Sequence, residues 1–189
     1  PLVPVRPCHL PVVHGAHLLS GARFDLDSPP EHRGPELRMM LHSTKDRATV
    51  SACMIVKNEE ELLGECLQSI RHWVDEIVVV DTGSIDRTVE IAQSFGARVF
   101  HQEWQGDFSR ARNFSLSHAT SEWIFIIDAD ERIVPEDIES LRTLLDDSRI
   151  SILSINVFNV YGNGDSGKTF LPSVRFFRRS LNLKYEGIV

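Results

Sequence analysis

Trp123-Ile-Phe-Ile-Ile-Asp-Ala-Asp-Glu-Arg132 is the run from which the rest of the chain can be read. Five apolar or aromatic residues are followed at once by carboxylates at Asp128, Asp130 and Glu131. An uninterrupted apolar run of this length fits a strand buried on both faces, as in a parallel sheet covered by helices. The acids then sit at its C-terminal end, the edge where open α/β sheets hold their ligands. In extended backbone, residues two apart point the same way, so Asp128 and Asp130 can address one ligand. Two such carboxylates suit a hard divalent cation that keeps water or phosphate oxygens in its other positions. The plainer alternative is that the acids cap the following helix or shape a turn.

Upstream, Val50 to Val56 is a strand candidate followed by Lys57-Asn58-Glu59. Residues 59–71 place Leu62, Leu63, Cys66, Leu67 and Ile70 at helical spacing. Glu76-Ile-Val-Val-Val80 is β-branched and apolar after its first residue, and runs into Asp81-Thr-Gly-Ser-Ile-Asp86. A second helical segment aligns Val89, Ala92 and Phe95, with Gly96 as its stop. Arg98 to His101 is a short strand candidate, and residues 107–118 read as a helix with Asp107 at its N-terminal end. Downstream, a helix from Pro135 turns Ile138, Leu141, Leu144 and Leu145 inward, and strands are expected at 150–160 and 173–178. Strand and helix alternate four times before the closing strands, which predicts an α/β, Rossmann-like, mostly parallel sheet flanked by helices.

In such a sheet the ends of three strands lie along one edge, so Asn58 and Glu59, Asp81 to Asp86, and Asp128 to Glu131 can converge on one ligand. Gly83 permits a tight turn after Asp81, and Ser84 or Asp86 suits the cap of the next helix. Asp81 ends a buried strand with no partner nearby in sequence, and a hydrogen bond to a base or ribose would satisfy it.

The bulk numbers exclude other classes. With 42% hydrophobic and 25% charged residues the composition is that of an ordinary globular protein. The net charge of -7 argues against a nucleic-acid partner. No apolar run approaches the ~18 residues of a membrane span, and no signal peptide is visible, so a cytoplasmic protein without a transmembrane segment is expected. Cys8, Cys53 and Cys66 lack metal-ligand spacing and read as reduced thiols. Residues 1–48 hold seven of the nine prolines and sustain no period, so they read as a linker or a disordered or extended arm ahead of a domain at 49–189. His9, His14 and His17 within it read as scattered exposed histidines. A first residue Pro1 and a last residue Val189 in mid-pattern are expected of a fragment of a longer protein.

Met54-Ile-Val-Lys-Asn-Glu59, Val79-Val-Asp-Thr-Gly-Ser-Ile-Asp-Arg-Thr88, Asp107-Phe-Ser-Arg-Ala-Arg-Asn113 and Asp128-Ala-Asp130 occur in that order. Together they resemble a family 2 glycosyltransferase of the GT-A fold, over about residues 49–189, with bacterial lipopolysaccharide-core and peptide glycosyltransferases as the nearest-looking members. The resemblance implies a DXD motif in which Asp130 coordinates Mn²⁺ or Mg²⁺ on a nucleoside-diphosphate sugar, with Asp128 as a supporting ligand. It also implies that Asp81 lies near the nucleoside, that Val56, Asn58 and Glu59 line the same pocket, and that Arg112 contacts the nucleotide or its phosphates. Arg110 and Asn113 are lesser candidates. A divalent ion and an arginine suit the charge that builds on a departing nucleoside diphosphate. The expected reaction is inverting transfer, from a UDP-sugar by family analogy, to an unknown glycan, lipid-linked glycan or peptide. Its carboxylate base is expected beyond Val189, and Glu186 is not given that role. The alternative is a non-catalytic nucleotide- or partner-binding domain.

Gly162-Asn-Gly-Asp-Ser-Gly-Lys-Thr169 satisfies the P-loop pattern. A phosphate-binding loop of that kind must open a helix. Here Phe170-Leu-Pro172 and a strand pattern follow, and the Gly, Asn and Asp residues predict the turn of a hairpin instead.

Overall fold

The computed structural model describes residues 11–17, 47–160 and 168–187. The apolar runs identified above form the parallel half of a sheet: β2 (Val50–Val56), β3 (Glu76–Asp81), β4 (Arg98–His101) and β5 (Trp123–Ile126). They alternate with helices α1 (Leu63–Ile70), α2 (Thr88–Ser94), α3 (Phe108–His118) and α4 (Ile138–Asp146), the last preceded by a 3₁₀ turn at Pro135–Asp137. The two-residue strand β6 (Arg132–Ile133) precedes that turn, and β7 (Ile152–Val160) and β8 (Lys168–Arg178) follow. An eighth strand, β1 (Pro11–His17), comes from the Pro-rich arm.

The sheet order is β4-β3-β2-β5-β8-β7-β1-β6. The chain moves outward from β2 to β3 and β4, then returns to place β5 on the other side of β2, parallel to it. Connections therefore leave the adjacent ends of β2 and β5 in opposite directions, which opens a crevice there. β8 pairs antiparallel with β5 and with β7. The hairpin expected around 162–169 is borne out at its described end, where Val160 and Asn159 pair with Lys168 and Thr169. Residues 161–167 lie outside the described part of the chain. β1 runs antiparallel to β7 and parallel to β6, with an irregularity between His14 and Ala16. It is a strand that the sequence reading left out: its one proline is its first residue, where a missing N–H is tolerated.

Burial on both faces follows from alternation along the strands. Val50, Ala52, Met54 and Val56 of β2, with Trp123 and Phe125 of β5, meet Leu63, Cys66, Leu67 and Ile70 of α1, Ala92 of α2, and Leu141 and Leu145 of α4. Cys53, Val78, Ile124 and Ile126 face the other way, toward Leu116 and Ala119 at the end of α3. The seam between β5 and β8 is aromatic: Phe125 stacks on Phe176 at 4.2 Å, and Trp73 packs against both at 5.4 and 6.1 Å. Cys53 and Cys66 are buried and free, and burial pushes each thiol up to about 12. Among the described residues no helix is long and apolar enough to cross a membrane.

Candidate functional site

Val56, Asp81 and His101 stand in register across β2, β3 and β4, at the edge onto which the crevice opens. Val56 itself belongs to the core, and its carbonyl accepts from both the N–H (3.0 Å) and the hydroxyl (3.1 Å) of Thr82. The loops after β2 and β3 are then laced together. The Asn58 N–H donates to Ser84 Oγ at 2.9 Å, and its side-chain oxygen accepts from the Ile85 N–H at 2.9 Å. The Glu59 N–H donates to Thr88 Oγ1 at 2.7 Å, and the Glu60 N–H to Asp86 at 3.2 Å. Asn58 adopts a left-handed φ of 56°, which asparagine tolerates better than most residues, and Gly83 takes φ 110°. α1 begins at Leu63 rather than at residue 59, after a turn in which the Glu59 carbonyl accepts from the N–H groups of Leu62 (3.1 Å) and Leu63 (2.9 Å). The expectation that Ser84 or Asp86 caps the next helix is corrected: α2 has Arg87 as its N-cap with no side-chain cap bond, and both side chains accept from amides of the loop after β2, Asp86 also from the Thr88 N–H at 3.0 Å.

Asp81 is nearly fully buried, and the expectation that it lacks a partner is corrected. Its carboxylate accepts from the N–H groups of Gly83 (3.3 Å) and Ser84 (3.1 Å) and lies 3.2 Å from His101 Nδ1. Burial works upward on its pKa, but these hydrogen bonds prevail and hold it below the ordinary value. The missing signal was the β3–β4 register, which brings in a histidine twenty residues away.

The tip of β5 is built from charge. The carboxylate of Asp128 accepts from Arg112 Nη2 on α3 and lies 3.5 Å from Arg175 Nη1 on β8. Burial alone would raise its pKa; the two guanidinium groups outweigh it and hold the carboxyl below its ordinary value. Glu131, only 3% exposed, accepts from the Asp128 N–H at 3.0 Å and pairs with Arg175 Nη2. Burial, with Asp128 and Asp130 adding to it against Arg175, pushes Glu131 up to about 7. Asp130 and Glu59 form no ion pair among the described residues. Both are raised by burial first; Asp128 then adds to the shift in Asp130, and Asp130, Asp86 and Asp128 to that in Glu59.

Asp128 and Glu131 are thus matched by Arg112 and Arg175, while Asp130 and Glu59 are left as neighbouring negative charge. No group of three or more His, Cys, Asp or Glu among the described residues can hold a metal alone. The donor set instead fits a Mg²⁺ or Mn²⁺ that takes one or two carboxylates here and the rest from phosphate oxygens and water. Such a cation would relieve the repulsion that raises Asp130 and Glu59.

Arg112 is 14% exposed, and its Nη1 is buried without a partner. It lines a cleft of about 520 Å³ together with Phe108, Ile126, Val174, Arg175 and Tyr185. Arg110 instead lies on the surface against Gln105. Asn113 holds the chain after β8: its side chain donates to the Tyr185 carbonyl and accepts from the Tyr185 N–H, both at 2.8 Å. Ser109 Oγ donates to the Gly187 carbonyl at 2.6 Å. Sequence reasoning missed Arg175, whose signal was a charge set directly between the apolar Val174 and Phe176.

A family model described as Glycosyl transferase family 2 matches residues 51–188. The chain is 31% identical over 151 residues to the SPbeta prophage-derived glycosyltransferase SunS of Bacillus subtilis, covering 78% of this chain and 35% of that protein. It is 50% identical over 99 residues to a TPR repeat-containing protein of Synechococcus elongatus, covering 52% of this chain and 25% of that one. The chain therefore spans a quarter to about a third of the length of these relatives. Among solved structures, S. aureus TarS 1-349 superposes with a TM-score of 0.50 at 24% identity, over 55% of this chain and 34% of that one, a likeness of fold. Since the family model matches residues 51–188, well over half of the sequence, the chain belongs to glycosyl transferase family 2.

Proposed function

We propose that this chain binds the donor in a metal-dependent, inverting transfer of a sugar from a nucleoside-diphosphate sugar, by preference a UDP-sugar, to a glycan, lipid-linked glycan or peptide acceptor. The observation that carries the reading is the unmatched charge of Asp130 and Glu59 beside the balanced Asp128, at the β2/β5 switch point. Asp130 would hold Mn²⁺ or Mg²⁺, with Asp128 in support; bound there, the cation supplies charge neutralisation for the departing diphosphate. Arg112 adds a fixed positive charge beside the same carboxylates, already oriented by its bond to Asp128. Asp81, held by its turn and by His101, presents a rigid acceptor wall for the nucleoside. The two buried free thiols support a cytoplasmic location.

Calorimetric titration with UDP tests this reading. Mn²⁺ is expected to raise UDP affinity, and Asp130→Ala to abolish that gain while leaving metal-free binding in place. A wild-type titration that is the same with and without Mn²⁺ sinks the reading. Turnover of UDP-sugars by the full-length protein separates an enzyme from a binding module.

A further inference from the structure

We propose that Arg175 is a positioning residue for the donor site: by bridging Glu131 and Asp128 it locks the turn after β5 on which Asp130 would meet the cation. This rests on the donor-site reading above and extends it to a strand that reading does not use.

The geometry is a closed ring. Arg175 Nη2 bonds Glu131 Oε1, Glu131 Oε2 accepts from the Asp128 N–H at 3.0 Å, and the Asp128 carboxylate returns to Arg175 Nη1 at 3.5 Å. A backbone bond from the Glu131 N–H to the Asp128 carbonyl at 3.0 Å closes the same turn from within. The ring hangs from β8: Arg175 is the residue passed over where the β7–β8 register shifts, directly before Phe176, which pairs with Phe125 of β5 and with Leu153 of β7, so a strand irregularity rather than a loop presents the arginine. Arg112 fixes the other side of the Asp128 carboxylate. The planar guanidinium spans two carboxylates at once, which a lysine ammonium does not. A bridge made only to neutralise a buried acid would need Glu131 alone; this one also grips the residue two positions before Asp130. The Nε of Arg175 is buried without a partner, a cost accepted in order to hold the fork in this orientation.

Arg175→Met, Arg175→Lys and the double variant Arg175→Met/Glu131→Gln, which leaves no stranded carboxylate, are compared with wild type. Each is titrated with UDP with and without Mn²⁺, and amide hydrogen exchange is followed across residues 127–132. With Arg175→Met, the Mn²⁺-dependent gain in UDP affinity is expected to fall by about tenfold or more. Metal-free UDP affinity should stay within about threefold of wild type, and the 127–132 amides should exchange faster. Arg175→Lys should recover part of the protection and less of the metal gain. The double variant, which keeps the fold free of an unpaired acid, should still lose the gain. Overturning results are a full Mn²⁺ gain in either Met variant, or a metal-free affinity that falls as far as the metal-dependent one, which would put Arg175 on the diphosphate itself. If wild type shows no Mn²⁺ gain, the donor reading fails first, and the proposal falls with it.

Discussion

The loops after β2 and β3 and the loop after β5 border the same crevice, but they are held by different forces. The first pair is laced by neutral and backbone bonds: Asn58 to Ser84 and Ile85, Glu59 to Thr88, Glu60 to Asp86. Hydrogen bonds between backbone amides and side-chain oxygens of the facing loop make a shape that neither pH near neutrality nor salt disturbs much. The β5 tip is held by Arg112 and Arg175 against Asp128 and Glu131, and it keeps buried, unpartnered N–H groups on both arginines. Each such group costs roughly 1–3 kcal/mol. The difference teaches that the rim is set by hydrogen-bonded shape, whereas the tip is set by a balance of charge.

The comparison breaks most visibly through pH. Glu131 sits at about 7 against an ordinary 4.5, so between those values the native state keeps a proton that the unfolded chain has lost. Its contribution to stability therefore falls as pH rises through this window, by up to about 3 kcal/mol. Urea denaturation at stepped pH should show the decline in wild type and its loss in Glu131→Gln. Asp128 acts in the opposite sense: its pKa is depressed, so its stabilisation is present at neutral pH and is lost as pH falls below its ordinary 3.8. Asp128→Ala should cost about 2–3 kcal/mol by the same method, below the ~3–5 kcal/mol of a fully buried pair because its side chain is 38% exposed. On the rim, Asn58→Ala should cost about 2 kcal/mol, through a lost hydrogen bond and a strained positive φ. Asn58→Gly keeps the φ and should cost only about 1 kcal/mol. Neither rim variant should alter the pH slope; if Asn58→Ala flattened it, the division between rim and tip would not stand.

How much of this was legible beforehand followed the range of the forces involved. The Trp123–Ile127 run, the apolar Glu76–Val80 stretch and the Asp107 cap depend on adjacent residues, and each sits where its pattern put it; the Asp107 side chain accepts from the Arg110 N–H at 3.0 Å. The Lys168–Thr169 decoy was also readable, because a strand pattern follows it where a helix was required. The arm's β1 was not: Pro-Val-Val-His-Gly-Ala-His is too short and mixed to carry a period, and only pairing with β7 reveals it. The partner of Asp81 and the role of Arg175 depend on register between strands far apart in sequence, which no local pattern encodes.

The antiparallel seam between β5 and β8 also sets an order of events during synthesis. The ribosome releases β2 to β5 with their helices well before residues 168–178 emerge, and such βαβ units can pair as they appear. Until β8 docks on the Phe125 stack, Glu131 has no arginine and Asp128 has only Arg112. The parallel half of the sheet is therefore a scaffold that waits, and the charged corner at the tip of β5 matures last, when the late strand brings in its arginine.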